Sequence, residues 1–310
     1  MTANPKPDLD AATVSAFLND HYRGHVERVE LLSGGNLSSV FAFDHRGAEY
    51  VVHFSSMKDA LIMEPFLSAL LVPQGVPYPR HYERGTFNGQ TYAISERKKG
   101  RMLADLPTAE KKAAVVPDLV RVMTRMHQVD VEATSGFGWI RSDGSGAYLT
   151  WRDFLVDFFG EEQPEGTFWE GWHELFRTTF MEKDVFDECY ARLLEHAAYS
   201  APHRFFVHGD AHAWNMLTDG RAITGIIDCN SVYGDFLIDV ASVEDIVPGY
   251  DTVGEFRRHY DELGIAVPDF EQRLLAGRFY KGLDGMRFFA KMGWKHAYEH
   301  KRAVLLGNRP

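Results

Sequence analysis

The sequence predicts an α+β fold in two parts: a small antiparallel β-rich lobe carrying one helix, then a larger, mainly helical lobe. Three observations carry this. β-rich runs bounded by Gly, Asp and Ser crowd the first hundred residues, and helical periodicity dominates beyond Arg101. One irregular segment of short strands and tight turns, HRFFVHGDAHAWNMLTDGRAITGIIDCNSVYGD, interrupts the helices.

At the N-terminal end, Asp10 caps a short helix whose apolar positions Val14, Phe17 and Leu18 recur at helical spacing, expected to lie as a lid over the adjoining strands. Those strands are VERVELLSGG, SSVFAFD and AEYVVHFSS, the last two joined by the hairpin turn DHRG. A helix over 60–71 is closed by PQGVPYP, whose prolines cannot continue it, and QTYAISE is one more strand before the charged linker RKKGR. The lobes are therefore expected to divide as 1–96 and 97–310. Beyond the linker, AEKKAAVVPDLVRVMTRMHQV sets Leu119, Val122, Met123 and Met126 on one face of a core helix. TSGFGWIRSDGSGAY is expected to be a Gly/Ser-rich loop, TWRDFLVDFF a helix, and 168–198 and 251–306 helical again.

The composition limits the function. With 310 residues, 45% of them hydrophobic, the chain can bury a sizeable core. Lys plus Arg is 33 against 44 Asp plus Glu, a net charge of −11 that repels polyanions, so nucleic acid is a poor partner. The same excess favours a cationic small molecule or serves solubility alone. No apolar run is long enough to span a membrane, the N-terminus lacks a secretory pattern, and two cysteines describe no disulfide framework, so a cytoplasmic setting is expected.

The chemistry concentrates in 205–240. Asp210 stands in VHGDAHAWNML, Asn215 five residues on, and Asp228 ends the run TGIID. The intervening T-D-G-R is a hairpin turn that returns the second strand to within roughly 10 Å of the Asp210 loop, at ~3.3 Å per residue. Asn215 and Asp228 are hard oxygen donors suited to Mg²⁺, and Asp210 can orient an attacking hydroxyl and accept its proton. A different reading takes His208, Asp210 and His212 as a transition-metal cluster of a hydrolase, which leaves Asn215 and Asp228 unexplained.

HGDAHAWNML, then IID, then GDFLID resembles the aminoglycoside phosphotransferase family, whose fold is like that of the eukaryotic protein kinases. LLSGGNLSSVFAF and MTRMHQVD add to the resemblance, while TSGFG, the Gly-rich stretch after it and TWRDF are most similar to the hygromycin B branch. The resemblance implies a protein-kinase-like two-lobe fold and an ATP- or GTP-dependent, Mg²⁺-assisted O-phosphotransferase acting on a small, hydroxylated, cationic acceptor. It implies Asp210 as catalytic base, Asn215 and Asp228 as metal ligands, and His208 and Asp235 as residues that shape the loop, Asp235 by bracing it through backbone hydrogen bonds. Ser33, Gly34, Gly35 and Asn36 would form the turn over the phosphates, Ser95, Glu96 and Arg97 the linker beside the adenine edge, and Glu64 the helix glutamate that partners a strand cation.

That cation is where the sequence departs from the family: YVVHF carries His53 in place of Lys or Arg. Either an imidazolium serves, or Lys58 or Arg46 reaches in, or nucleotide affinity is low. Asp157, Glu161, Glu162, Glu244 and Asp245 are candidates for pairing with acceptor ammonium groups. Asp239 is expected at the surface or as a helix cap, and Trp151, Trp169, Trp172 and Trp294 in packing. A nucleotide-binding pseudoenzyme and a kinase of choline, homoserine or a macrolide are the alternatives.

Overall fold

The computed structural model describes residues 6–32, 38–57, 60–201 and 203–307. They form two compact units: residues up to Gly100 with Thr224–Ile227, and residues 101–223 with 228–310.

The first unit begins with α1 (Ala11–His21), whose N-cap Asp10 accepts the Thr13 N–H at 2.7 Å. Its sheet contains β1 (Val26–Leu31), β2 (Ser38–His45), β3 (Ala48–Ser55), β4 (His81–Phe87) and β5 (Gln90–Glu96) in the order β1-β2-β3-β5-β4, with neighbours antiparallel. Phe41, Phe43, Val52, Phe54, Tyr92 and Ile94 line one buried cluster with Val14 and Leu18 of α1. Phe17 adds ring contacts to Phe54, Phe87 and Tyr92. The expected lid is therefore the helix that buries this face, each large apolar side chain contributing about 1.5–3 kcal/mol.

Strand β4 is an addition to the expected strands, although FNGQ announces it: Asn88 and Gly89 both have positive φ, the two-residue turn that closes β4 onto β5. The helix expected from residue 60 begins only at α2 (Glu64–Leu71), where Pro65 occupies the first turn.

The second unit opens with the short β6 (Arg101–Met102), followed by α3 (Ala109–Ala113) and α4 (Val116–His127). These two replace one predicted helix, because Pro117 starts a helix and cannot continue one. Leu119, Val122, Met123 and Met126 are buried on α4 as the periodicity predicts. The expected Gly/Ser loop is instead a hairpin of β7 (Phe137–Ile140) and β8 (Gly146–Tyr148). Its glycines permit close backbone approach: a Cβ on Gly136 would lie 2.5 Å from the Gly146 carbonyl oxygen.

Next come α5 (Trp151–Gly160), α6 (Leu175–Thr178) and α7 (Lys183–Ser200), then β9 (Phe205–Val207), β10 (Met216–Thr218), β11 (Ile223–Ile226), which from Thr224 on belongs to the first unit, and β12 (Val232–Gly234). The helices α8 (Leu237–Val243), α9 (Thr252–Glu262), α10 (Phe270–Met292) and α11 (Lys295–Leu305) complete the chain. A sheet in the order β8-β7-β12-β9 pairs Val207 with Val232, and β10 runs antiparallel to β6. The main core lies between α5, α7 and α10, with Trp151 and Trp172 buried and Trp169 packed against them, in line with the packing role expected of these residues. Among the described residues no helix is long and apolar enough to cross a membrane.

Candidate active site

Pairing of β9 with β12 sets the chain after Val207 beside the chain before Val232. Between them Gly209 has φ +79, and a Cβ there would meet the Asn230 carbonyl oxygen at 2.0 Å. Only glycine makes this turn without moving backbone. Gly209→Ala is expected to cost about 2 kcal/mol or more in a urea titration, since strain of this kind is worth roughly 1–3 kcal/mol before the collision is added.

The loop hangs from Asp239 on α8. Its carboxylate accepts the N–H of His208 at 2.7 Å and of Gly209 at 3.0 Å, and the side chain is fully buried. His127 lies 3.6 Å away, stacked on Phe236. The brace expected at Asp235 is thus supplied four residues later, one helical turn on, and Asp239 is neither at the surface nor a helix cap. Asp235 instead accepts bonds from Arg273 Nε at 2.8 Å and Nη2 at 2.9 Å, and from the Leu237 N–H at 3.0 Å. That ties the start of α8 to α10. His208 Nδ1 accepts the Asp210 N–H at 3.2 Å, a hydrogen bond within the loop.

Asp210 and Asn215 meet directly. Asn215 Nδ2 donates to the Asp210 carbonyl at 3.0 Å, to Asp210 Oδ2 at 3.3 Å and to the Asp228 carbonyl at 3.5 Å, so one amide gathers all three residues. Asn215 is buried, Asp210 half-buried, and Asp228 exposed with φ +58, a conformation rare outside glycine. Two further side chains reach the Asp210 carboxylate. His212 Nε2 lies 3.2 Å from Asp210 Oδ2, and Lys281 Nζ of α10 lies 3.4 Å from Asp210 Oδ1. Burial by itself would raise the Asp210 carboxyl, but the His212 hydrogen bond and the charges of Lys281, His212 and His208 hold it well below the usual carboxylate range. The carboxylate is an anion at any physiological pH.

With its amide N–H groups committed, Asn215 keeps its carbonyl oxygen as the acceptor end. Together with the exposed Asp228 carboxylate this is a hard, oxygen-only donor pair, which fits an ion such as Mg²⁺ that keeps water and phosphate oxygens for its other positions. Among the described residues no group of three His, Cys, Asp or Glu is placed to hold a metal, and His208 Nδ1 is taken by the Asp210 N–H.

Of the residues expected around the nucleotide, Ser33, Gly34, Gly35, Asn36 and Lys58 lie outside the described residues. His53 sits in β3 opposite Val40 and Ala93. Arg46 is in the exposed β2–β3 turn, about 20 Å from His53 at ~3.3 Å per residue, too far to replace it. Glu64 opens α2 and accepts a hydrogen bond from Tyr78 at 3.0 Å.

At the linker, Ser95 pairs in register with Val51 and His81. The N–H groups of Glu96 and Arg97 already bond the carbonyls of Arg80 and Glu49, and the side chains pair with Lys98 and Glu30. A base meeting this linker finds those two donors used. Of the candidate acceptor anions, Asp157 accepts the Tyr148 hydroxyl at 2.5 Å, and Glu162 accepts the Gly171 N–H at 2.6 Å. Glu161 and Asp245 are exposed. Glu244 is already neutralised by Arg278, at 2.6 Å, and is withdrawn as a free anion.

Comparison with known proteins converges on one family. The model of the phosphotransferase enzyme family APH matches residues 28–276. Hygromycin-B 4-O-kinase of Escherichia coli is 32% identical over 244 residues, which is 77% of this chain and 67% of that protein. The crystal structure of a thermostable mutant of aminoglycoside phosphotransferase APH(4)-Ia, in ternary complex with AMP-PNP and hygromycin B, matches with a TM-score of 0.78 at 27% identity, covering 96% of this chain and 97% of that one. Spectinomycin phosphotransferase APH(9)-Ia shares the fold alone, with a TM-score of 0.62 at 12% identity over 97% of this chain and 99% of that one. The family match, the identity to a curated kinase and the loop geometry agree, and the chain belongs to the APH phosphotransferase enzyme family, with its kinase-like fold.

Proposed function

We propose that this chain is an aminoglycoside phosphotransferase that moves the terminal phosphoryl group of ATP or GTP onto a hydroxyl of hygromycin B or a close analogue. The observation that carries the reading is the gathering of Asp210, Asn215 and the Asp228 backbone by one buried amide. It stands in a chain similar over nearly its whole length to a protein seen with AMP-PNP and hygromycin B.

In this reading Asp210, held as an anion, hydrogen-bonds the acceptor hydroxyl, orients its oxygen toward the phosphorus and takes its proton as the new P–O bond forms and the nucleoside diphosphate leaves. Asn215 and Asp228 hold Mg²⁺, which when bound neutralises phosphate charge. Residues 1–96 serve as the nucleotide lobe through Ser33, Gly34, Gly35, Asn36, His53, Glu64, Ser95 and Glu96, joined by Arg97 at the start of 97–310, the catalytic and acceptor lobe. Asp157, Glu161, Glu162 and Asp245 remain as anions for a cationic acceptor, consistent with the net charge of −11. The setting is cytoplasmic.

The test is incubation with hygromycin B, spectinomycin, choline or homoserine, with and without nucleotide and Mg²⁺, and then mass spectrometry of the acceptor. Gain of one phosphoryl group by hygromycin B, only with nucleotide and Mg²⁺, is expected. Transfer to choline or homoserine instead would replace the acceptor class. His53 motivates the rival reading as a pseudoenzyme, which requires nucleotide binding with transfer to none of the four.

A further inference from the structure

Asp210 is held from outside its own loop. Lys281, 71 residues away on α10, donates from Nζ to the Gly209 carbonyl at 2.8 Å and lies 3.4 Å from Asp210 Oδ1. Its side chain is only 17% exposed, so its ammonium has given up most of its hydration, a cost that a paired carboxylate must offset. Asp284 stands 3.9 Å behind it and is in turn 3.4 Å from Arg287. Arg287 is fixed: it is fully buried, donates to the Phe158 carbonyl at 2.6 Å, and is enclosed by the rings of Phe158, Phe159, Trp169 and Trp172. Lys281, Asp284 and Arg287 recur at three-residue spacing on one face of α10, so charges of alternating sign run from a rigid aromatic cage to the Asp210 carboxylate.

The contacts of Asp210 divide between its two oxygens. Oδ1 faces Lys281, while Oδ2 faces Asn215 Nδ2 at 3.3 Å and His212 Nε2 at 3.2 Å. A short carboxylate that is 38% exposed would otherwise rotate between rotamers. We infer that Lys281 is a positioning residue for phosphoryl transfer, fixing the Asp210 carboxylate from α10 so that the oxygen that meets the acceptor hydroxyl keeps one orientation. This rests on the reading of Asp210 as the residue that meets the hydroxyl. Lys281 touches neither substrate nor nucleotide in this role, and its effect belongs to turnover rather than to binding.

The experiment compares the full-length wild type with Lys281→Met and Lys281→Arg, using hygromycin B and MgATP. Misorienting a reacting group by about 1 Å costs on the order of 100-fold, so kcat of Lys281→Met is expected to fall ~10–100-fold. Both KM values should stay within about twofold, and Lys281→Arg, which restores a charged donor, should recover to within ~5-fold of wild type. Unchanged kcat in Lys281→Met, a loss confined to KM, or an equal loss in Lys281→Arg would overturn the inference. Where Lys281→Met does not fold by circular dichroism, Lys281→Gln takes its place and is read by the same criteria. Wild type inactive on hygromycin B would sink the acceptor reading while leaving this one decidable by crystallography. A carboxylate of Asp210 that turns away in Lys281→Met and stays put in Lys281→Arg supports it, and an unmoved carboxylate in Lys281→Met refutes it.

Discussion

Asp210→Asn is expected to lower turnover about 10³-fold, within the 10²–10⁴-fold range of a positioned general base, while nucleotide affinity changes by no more than a few-fold. The substitution keeps shape and removes the charge that the surroundings are arranged around. Burial penalises the anion, yet the His212 hydrogen bond and the Lys281 charge more than compensate. An amide there turns a donor toward one of these two donors. Asp210 also adds to stability with a definite sign. A depressed carboxylate stabilises the fold above its unfolded value of about 3.9, and the contribution is lost as pH falls through the lower folded value. An acid limb of the rate profile near neutrality therefore belongs to a group other than Asp210. Steady-state kinetics with calorimetric nucleotide titration checks the first claim, and turnover retained within tenfold would remove Asp210 from the reaction.

The largest stability effect is expected at Arg273. Both Arg273 and Asp235 are buried, with side chains 1% and 2% exposed, and they share two bonds of 2.8 and 2.9 Å. A third bond goes to the Pro268 carbonyl at 3.1 Å, and Phe236 lies under the guanidinium. Arg273→Met leaves Asp235 charged, buried and without this partner, and should cost about 3–5 kcal/mol in urea unfolding. Pairing it with Asp235→Leu removes the orphaned charge, and the double variant is expected to regain most of the loss. The single variant should also lower activity, because Asp235 anchors the start of the helix that carries Asp239, the acceptor for the loop N–H groups. A loss below ~1 kcal/mol in Arg273→Met would show that the pair does not hold α8 to α10.

The Asp210 loop is legible in the sequence because its contacts are local. Asp210 and Asn215 are five residues apart, and the turn after them sends the chain back to Asp228, so spacing alone predicts that the three meet. What the motif cannot supply is what holds the loop. Asp235 precedes α8 and Asp239 lies in its first turn, and only the packing of α8 decides that the second faces the loop and the first faces α10. Lys281 carries no local signal, since a lysine inside a long amphipathic helix reads as surface until the helix is docked. In the first unit the strands that alternate or carry β-branched and aromatic residues are visible from the sequence. HYERGTF is hidden because its charged residues mask the pattern, although the Asn-Gly turn behind it is a strong hairpin signal. The β7–β8 hairpin is hidden for the opposite reason: its glycines suggest looseness, and their actual use is backbone contact too close for any side chain.

The most direct measurement is a crystal structure of the wild-type chain with Mg²⁺, AMP-PNP and hygromycin B. One acceptor hydroxyl is expected within hydrogen-bond reach of an Asp210 carboxylate oxygen, ~2.6–3.2 Å, with the cation on the Asn215 and Asp228 side-chain oxygens. A complex in which the acceptor hydroxyls lie away from Asp210, or the cation is held by other residues, would contradict the account.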